Sequence, residues 1–379
     1  MNIEQRQWSK EYGWTGPNDT VFAQTAQLVF VFGGRMALEV HERFLEVRER
    51  YPSAQLLLCS TAGEILGTNV YDDTIAVTAV HFAQSEILTR SLKIEAVEQS
   101  YETGKRLVES FPPEGLRHLF VVCVGQKING SELVRGLNEQ LPAGVSVTGG
   151  LAGDGARFER TVVGLNGVPS DGNIAAVGFY GSALQIHFGS FGGWDSFGLD
   201  RKITKAKNNI LYELDGQPAL DLYKKYLGDQ SANLPGSALL FPLSIKVHSS
   251  DEPVVRTILS IDEENKSMIF AGDMPVGAYA RLMKANFDRL IEGSAHAAQN
   301  SVGSLTDVRV DLAVLISCVG RKLVLGQRIE EEVEQVREVF GDTAVLSGFY
   351  SYGEISPLSP TTKCELQNQT MTITTFSER

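Results

Sequence analysis

The chain has 379 residues, with 43% hydrophobic and 21% charged residues, so it can form two or three domains with large cores and needs no disulfides for stability. Its net charge of −12 excludes the basic face that a nucleic-acid partner requires. No apolar run approaches the roughly 20 residues of a membrane span, and the N-terminus lacks a basic-then-apolar signal pattern, so a cytoplasmic protein is expected.

Residues 1–26 hold Trp8, Tyr12 and Trp14 among polar residues and read as a partly ordered arm. The apolar run Leu28 to Phe32 predicts a strand, which leads through Gly33-Gly34 into a helix from Met36 to about Arg50. Val40, Phe44 and Val47 recur there at helical spacing, and Pro52 ends the helix. A strand at Gln55–Cys59 follows, then a turn-rich stretch at 68–73 and an alternating strand from Thr74 to Phe82. A helix from about Ile94 to Ser110 leads to a second, similar unit. This has a strand at Leu119–Val124, a helix with Ser131 as a plausible N-cap and Leu133, Leu137 and Leu141 inward, a short strand from Val145, and a strand at Ile174–Tyr180.

Leu184 to Phe191 alternates: Leu184, Ile186 and Phe188 point one way, Gln185 and His187 the other. The Gly/aromatic stretch 189–198 then breaks the pattern and reads as a hinge or ligand-contacting loop. A hairpin over 201–214 and a helix from Ala219 follow, then strands at Ala238–Leu243, Val254–Ile261 and Lys266–Ala271 and a helix over Ala280–Ser301. The last unit opens with the strand Leu312–Val319. Its helix carries Ile329, Val333 and Val336 inward, while Glu330, Glu331, Glu332 and Glu334 read as a solvated face.

One pattern recurs through this order. Val31-Phe32-Gly33-Gly34-Arg35 returns as Cys123-Val124-Gly125-Gln126-Lys127 and as Cys318-Val319-Gly320-Arg321-Lys322. Each copy closes an apolar run, opens a helical segment and is followed by a short strand ending in small residues, so a strand–helix–strand unit occurs three times. The copies predict Gly33, Gly125 and Gly320 at matching strand ends. Glu64 and Glu354 fall at equivalent positions and are expected to accept hydrogen bonds that hold their turns. The fold class is α/β, with sheets covered by helices.

Cys59-Ser60-Thr61-Ala62-Gly63-Glu64-Ile65, Glu213-Leu214-Asp215-Gly216-Gln217-Pro218-Ala219 and Gly348-Phe349-Tyr350-Ser351-Tyr352-Gly353-Glu354-Ile355 resemble the FIST family. The resemblance runs from about residue 27 to 361. It implies a FIST N-like domain over 27–218 and a FIST C-like domain over 219–379, after an arm over 1–26. It also implies an intracellular signal-transduction sensor of a small ligand. One branch of stand-alone proteins of this family binds haem, senses nitric oxide and regulates a histidine kinase, in bacterial two-component signalling. A small organic ligand such as an amino acid is the alternative.

A haem iron needs an axial ligand in an apolar pocket. Of His41, His81, His118, His187, His248 and His296, His187 is the expected metal ligand, with Phe191, Trp194 and Phe197 as apolar walls and His296 and His248 next in order. Arg35 and Lys127, with Arg321 and Lys322, begin helices, where an anionic ligand can bind. The ligand is expected where the halves meet, near residues 187–198. The four cysteines Cys59, Cys123, Cys318 and Cys364 form no C-x-x-C pair or zinc spacing and read as apolar core residues. A hydrolase using Cys59 or Ser60 is the remaining alternative. Neither turn motif holds a histidine or a G-x-S-x-G, so no catalysis is expected.

Overall fold

The computed structural model describes residues 1–247, 253–303, 309–359 and 362–379. Its framework is the repeated strand–helix–strand unit. In each copy a leading strand pairs in parallel with the strand after the helix: Leu28–Gly33 with Gln55–Ser60, Leu116–Cys123 with Ser146–Leu151, and Leu312–Cys318 with Val345–Ser351. All six residues of Leu28–Gly33 and all seven of Leu312–Cys318 are buried. Strands covered on both faces read as continuous apolar runs for this reason. On the other side of each leading strand lies an antiparallel one: Ile75–His81, Asn173–Tyr180 and Met371–Glu378.

The three sheets do not stay separate. After its second strand, each unit passes the chain to a neighbouring sheet. Glu64–Leu66, in a hairpin with Asn69–Tyr71, extends the third sheet beside Val345–Ser351. Val163–Leu165 extends the first beside Gln55–Ser60. Gly353–Pro357, with Cys364–Gln367 beyond it, extends the second beside Ser146–Leu151. The exchange is cyclic, so pulling one unit away would break main-chain hydrogen bonds in two sheets.

The inner faces meet in one core. Phe32 stacks at 4.8 Å on Phe349, and Phe30 packs edge-on to Phe120 at 5.4 Å. Val122, Val314 and Ile316 fill the space around them. Each such side chain contributes about 1.5–3 kcal/mol on burial. The outer faces carry the helices: His41–Arg50 on the first sheet, Ser100–Glu109 and Gly130–Gln140 on the second, and Phe287–Val302 and Ile329–Phe340 on the third. The two helices of the second sheet touch through glycine. A Cβ on Gly104 would lie 2.3 Å from the Leu133 carbonyl oxygen, and one on Gly136 2.0 Å from that of Tyr101.

Between Leu184–Phe191, an edge strand of the third sheet, and the helix Phe287–Val302, the chain leaves to build a fourth sheet. Its strands include Asp195–Lys207, Ile210–Leu214, Leu243–Lys246, Ser267–Phe270 and Tyr279–Lys284, with the helix Ala219–Leu227. This inserted sheet has its own core, in which Ile203 and Leu214 pack with Leu220, Met268 and Leu282, so one core lies on both sides of residue 218.

Several expectations are corrected. The arm is part of the first sheet: Asn2–Ser9 pairs with Ile75–His81, and the Glu4 carboxylate accepts from Tyr51 at 2.6 Å and Arg50 at 3.0 Å. Its polar residues hid this, because they meet polar partners on the helix rather than an apolar core. Residues 236–240 form a short 3-10 helix between Pro235 and Pro242, and the strand is Leu243–Lys246. Residues 279–284 are a strand, and the helix starts only at Phe287, capped by Asn286. Asn129, not Ser131, caps the helix Gly130–Gln140. Gly33 ends its strand, Gly125 lies two residues past Cys123, and Gly320 is the second residue of the helix Val319–Leu325, so the glycines do not match in place. Glu332 is fully buried and paired with Arg321, rather than solvated.

Candidate ligand site

The positions that do match are the acids at the crossings, where the chain passes from one sheet to the next. The Glu64 carboxylate accepts from the Thr61 hydroxyl, from the Thr74 N–H at 3.0 Å and from the Thr74 hydroxyl at 2.8 Å. Glu354 repeats this with the Ser351 hydroxyl at 2.6 Å, the Thr370 N–H at 3.3 Å and the Thr370 hydroxyl at 2.9 Å. Asp154 takes the corresponding place in the second unit, with Arg157 at 2.8 Å and Arg35 at 3.1 Å. Burial pushes Glu64 up to about 7 and Glu354 up to about 8, against the pull of these bonds. Asp154 is held below the ordinary carboxylate range; burial works against this, but the bonds from Arg157 and Arg35 outweigh it. These acids hold the crossings together, as expected for Glu64 and Glu354.

The crossings bring the carboxyl ends of the strands Leu116–Cys123, Ser146–Leu151 and Leu312–Cys318 to one region, and the inserted sheet covers it. A cavity of about 460 Å³ lies between them. Ligands of parallel sheets characteristically sit at this end of the strands. On the framework side the walls are Gly125, Ile128, Leu151, Val319, Gly320, and the ring pair Phe158 and Tyr352. That pair is stacked at 4.6 Å and pinned by the Tyr352 hydroxyl, which donates to the Gly155 carbonyl and accepts from the Phe158 N–H, both at 3.2 Å. On the inserted side are Asn209, Leu239, Thr257, Ile258, Leu259 and Phe270.

No Asp, Glu, Lys, Arg or His is among the residues lining this cavity. Its polar groups are few and neutral. The Asn209 amide is already donating to the Phe270 carbonyl at 2.8 Å. The Thr257 hydroxyl is buried without a hydrogen-bond partner among the described residues. Behind the wall residue Gly320 lies the Gln369 amide, whose N–H groups and oxygen have no partner among the described residues; a Cβ on Gly320 would fall 2.4 Å from Gln369 Nε2. Leaving such a group unsatisfied costs about 1–3 kcal/mol.

The residues singled out in the sequence are spread over several places. His187 is half-buried in a second cleft, with Phe188 and Ile186, and its imidazole is held below its ordinary pKa by burial and by the charge of Arg379. Phe191 packs edge-on to His296 at 5.0 Å. The Trp194 indole donates to the Gln369 carbonyl at 2.8 Å and packs by Leu290 and Val324. Phe197 belongs to the core of the inserted sheet, beside Phe241. None of Phe191, Trp194 and Phe197 lines the His187 cleft. His187 therefore faces a cleft that carries three cations and has Phe188 as its one aromatic wall among the described residues, rather than the dry apolar walls of a haem pocket; the residues present do not fit that group. Among the described residues no cluster of three His, Cys, Asp or Glu could hold a metal ion. His248 lies outside the described residues. His118 is buried between the Ser146 and Thr148 hydroxyls at 2.7 and 2.9 Å, and burial pushes it down to about 3.

The basic residues are already paired. Arg35 meets Asp154, Glu39 and Glu159, Lys127 meets Asp171 at 2.6 Å, and Lys322 binds Asp72 and the Ala62 carbonyl. Arg321 is fully buried on Glu332 at 2.8 Å. Cys59 is buried with its thiol pushed well up, and the Ser60 hydroxyl accepts from the Val162 N–H at 2.9 Å, so neither is prepared as a nucleophile. Sequence reasoning missed Phe158, Thr257 and Gln369. Tyr352 stood within a quoted motif, and Gly125 and Gly320 were noticed as a pattern without their role as cavity walls.

The FIST N domain matches residues 27–217 and the FIST C domain residues 219–357. The chain belongs to the FIST family, whose domains are signal-transduction sensor domains. It is similar to an uncharacterized protein of Methanocaldococcus jannaschii, 22% identical over 323 residues, which cover 78% of this chain and 60% of that protein. This chain thus matches well under two thirds of that relative's length. Two solved cyanuric acid hydrolases are distant neighbours. One, from A. caulinodans, has a TM-score of 0.35 at 8% identity, covering 100% of this chain and 99% of that one. The other, titled as an innovation by structural concatenation, has a TM-score of 0.31 at 11% identity, with the same coverage. Among the described residues no helix is long and apolar enough to cross a membrane.

Proposed function

We propose that this FIST protein senses a small, neutral, largely apolar organic molecule held between the framework and the inserted sheet. The observation that carries the reading is the uncharged cavity of about 460 Å³ at the strand ends, with the Thr257 hydroxyl buried in its wall without a partner. A zwitterionic amino acid would need counter-charges for its carboxylate and ammonium groups, because burying an unpaired charge is costly. The walls offer none, so a neutral ligand suits them better.

Signalling follows from what the ligand touches. Among the described residues the polar contacts from the inserted sheet to the framework include Asn129 donating to the Asp273 carboxylate at 3.1 Å, the Ser131 hydroxyl accepting from the Asp273 N–H at 3.3 Å, and Arg256 donating to the Leu366 carbonyl at 2.9 Å. A ligand touching both sides favours whichever relative position gives it more contact, and only such differential affinity shifts an equilibrium. A signalling partner, a histidine kinase by the family resemblance, would read that position.

The test uses Nile red, a neutral dye. Wild type should bind it saturably with enhanced fluorescence, and Thr257→Phe, which fills the cavity, should lose most of the signal while melting near the wild-type temperature. Equal fluorescence in the two proteins would remove this cavity as the ligand site.

A further inference from the structure

A second cleft, of about 930 Å³, lies at the other end of the strands. It is lined at the start of Leu116–Cys123 by Arg117 and at the start of Ser146–Leu151 by Ser146, whereas the neutral cavity adjoins the ends of both strands. Eight residues of extended chain separate the two, or about 25 Å. Lys363 and Arg379 come to the same cleft from distant parts of the sequence, and His187 completes it.

The charges here are one-sided. Three cations line the cleft, and no Asp or Glu does among the described residues. Among the described residues, Arg117 and Lys363 make no ion pair, and both are exposed on the cleft with Arg379. In a chain of net charge −12, three cations around one cleft, with no acid among its described lining residues, are a local reversal. Like charges gathered around a concave surface repel one another and focus an attractive field on an anion. Burial, and after it the charge of Arg379, holds the His187 imidazole toward the neutral form. A neutral imidazole can still share a hydrogen bond with a ligand oxygen.

We propose that this cleft binds a small polyanion carrying two or more phosphate or carboxylate groups. Its volume is large for a single phosphate, and its cations stand on separate elements, so several anionic groups can be met at once. Guanidinium groups at Arg117 and Arg379 suit paired oxygens, and Lys363 supplies a point charge. The Gln185 amide adds a neutral hydrogen-bonding group, while the Ser146 hydroxyl already pairs with His118 at 2.7 Å and the Asn138 amide donates to the Cys364 carbonyl at 2.7 Å. This site does not depend on the neutral-ligand reading, because it shares no residue with that cavity.

The experiment is calorimetric titration of the whole protein with pyrophosphate and with citrate, at fixed ionic strength. The expected result is saturable binding of at least one, and the tighter of the two names the anionic group preferred. Arg117→Ala and Lys363→Ala should each weaken it about tenfold. Arg106→Ala, which removes an exposed cation outside the cleft, should leave it unchanged, as should Thr257→Phe. The His187 ring resonances should move on saturation in wild type. The proposal is overturned if neither anion binds saturably, if Arg106→Ala weakens binding as much as Arg117→Ala, or if binding leaves the His187 resonances in place.

Discussion

The second crossing differs from the first and third in one substitution of chemistry. Glu64 and Glu354 are held by hydroxyls and backbone N–H groups, while Asp154 is held by two guanidinium groups. All three acids are fully buried by side-chain exposure, so burial alone does not decide their charge. Burial raises Glu64 and Glu354 toward neutrality, since the nearby charges of Lys322 and Arg321 and the bonds from hydroxyls and N–H groups offset it only in part, while Asp154 stays ionised because bonds from two guanidinium groups outweigh its burial. The same fold therefore uses protonatable acids at two crossings and an ion-pair clasp at the third. Glu332, buried under Arg321 in the third unit, follows the rule of Asp154 in its pairing.

The largest effect should come from removing a buried cation. Arg321→Met leaves Glu332 buried without its counter-charge, and also frees the Leu290 carbonyl that Arg321 bonds. Urea unfolding should show a loss of about 3–5 kcal/mol. A loss below about 1 kcal/mol would mean that Glu332 is not held by its cation. Next is Asp154→Asn, which leaves Arg35 and Arg157 without their shared carboxylate. The expected loss is about 3 kcal/mol, with Asp154→Ala no better, since the guanidinium groups suffer alike.

The glutamates should behave differently, and their signature is pH. Their folded values, about 7 and about 8, lie above the ordinary 4.5, so the folded state holds more protons than the unfolded state between those limits. The stabilisation is fully present below about 4.5 and is lost as pH rises through about 7 and then about 8. Each unit of raised pKa corresponds to roughly 1.4 kcal/mol at most. Unfolding curves across this range should fall toward high pH, and Glu64→Gln and Glu354→Gln should flatten the fall. Near neutrality each variant should cost only about 1 kcal/mol, because an amide resembles the protonated acid. A pH profile as steep in the double variant as in wild type would break the distinction between the crossings. The smallest effect belongs to Lys127→Ala: its ion pair with Asp171 is largely exposed, and the change in stability should stay within about 0.5 kcal/mol.

Much of this molecule was legible before any coordinates. Apolar runs such as Leu28–Phe32 predict strands covered on both faces, and Val333 and Val336 mark the buried side of their helix correctly. Glu64 and Glu354 are expected to accept hydrogen bonds that hold their turns, because a repeated position serves the repeated turn; the structure shows those bonds and adds the hydroxyl donors, which the repeat does not indicate. The sites were less legible. His187 was chosen for its neighbours in sequence, but Trp194 and Phe197 leave with the chain as it enters the inserted sheet. Arg35 and Arg321 read as anion-binding candidates at helix starts and Glu332 as a solvated face, since a charged side chain carries no local sign that its partner will be buried with it.

Local periodicity thus determined the α/β class, the repeated unit and which face of each element turns inward. The tertiary structure alone decided that Glu64–Leu66, Val163–Leu165 and Gly353–Pro357 would each join another unit's sheet. Backbone N–H and C=O groups are the same at every residue, so a strand does not encode which edge will accept it. It also decided where the ligand cavities fall. The neutral one is made where strand ends of the second and third units meet the sheet inserted between Leu184–Phe191 and Phe287–Val302, and the cationic one by Arg117, Lys363 and Arg379, which no local pattern connects.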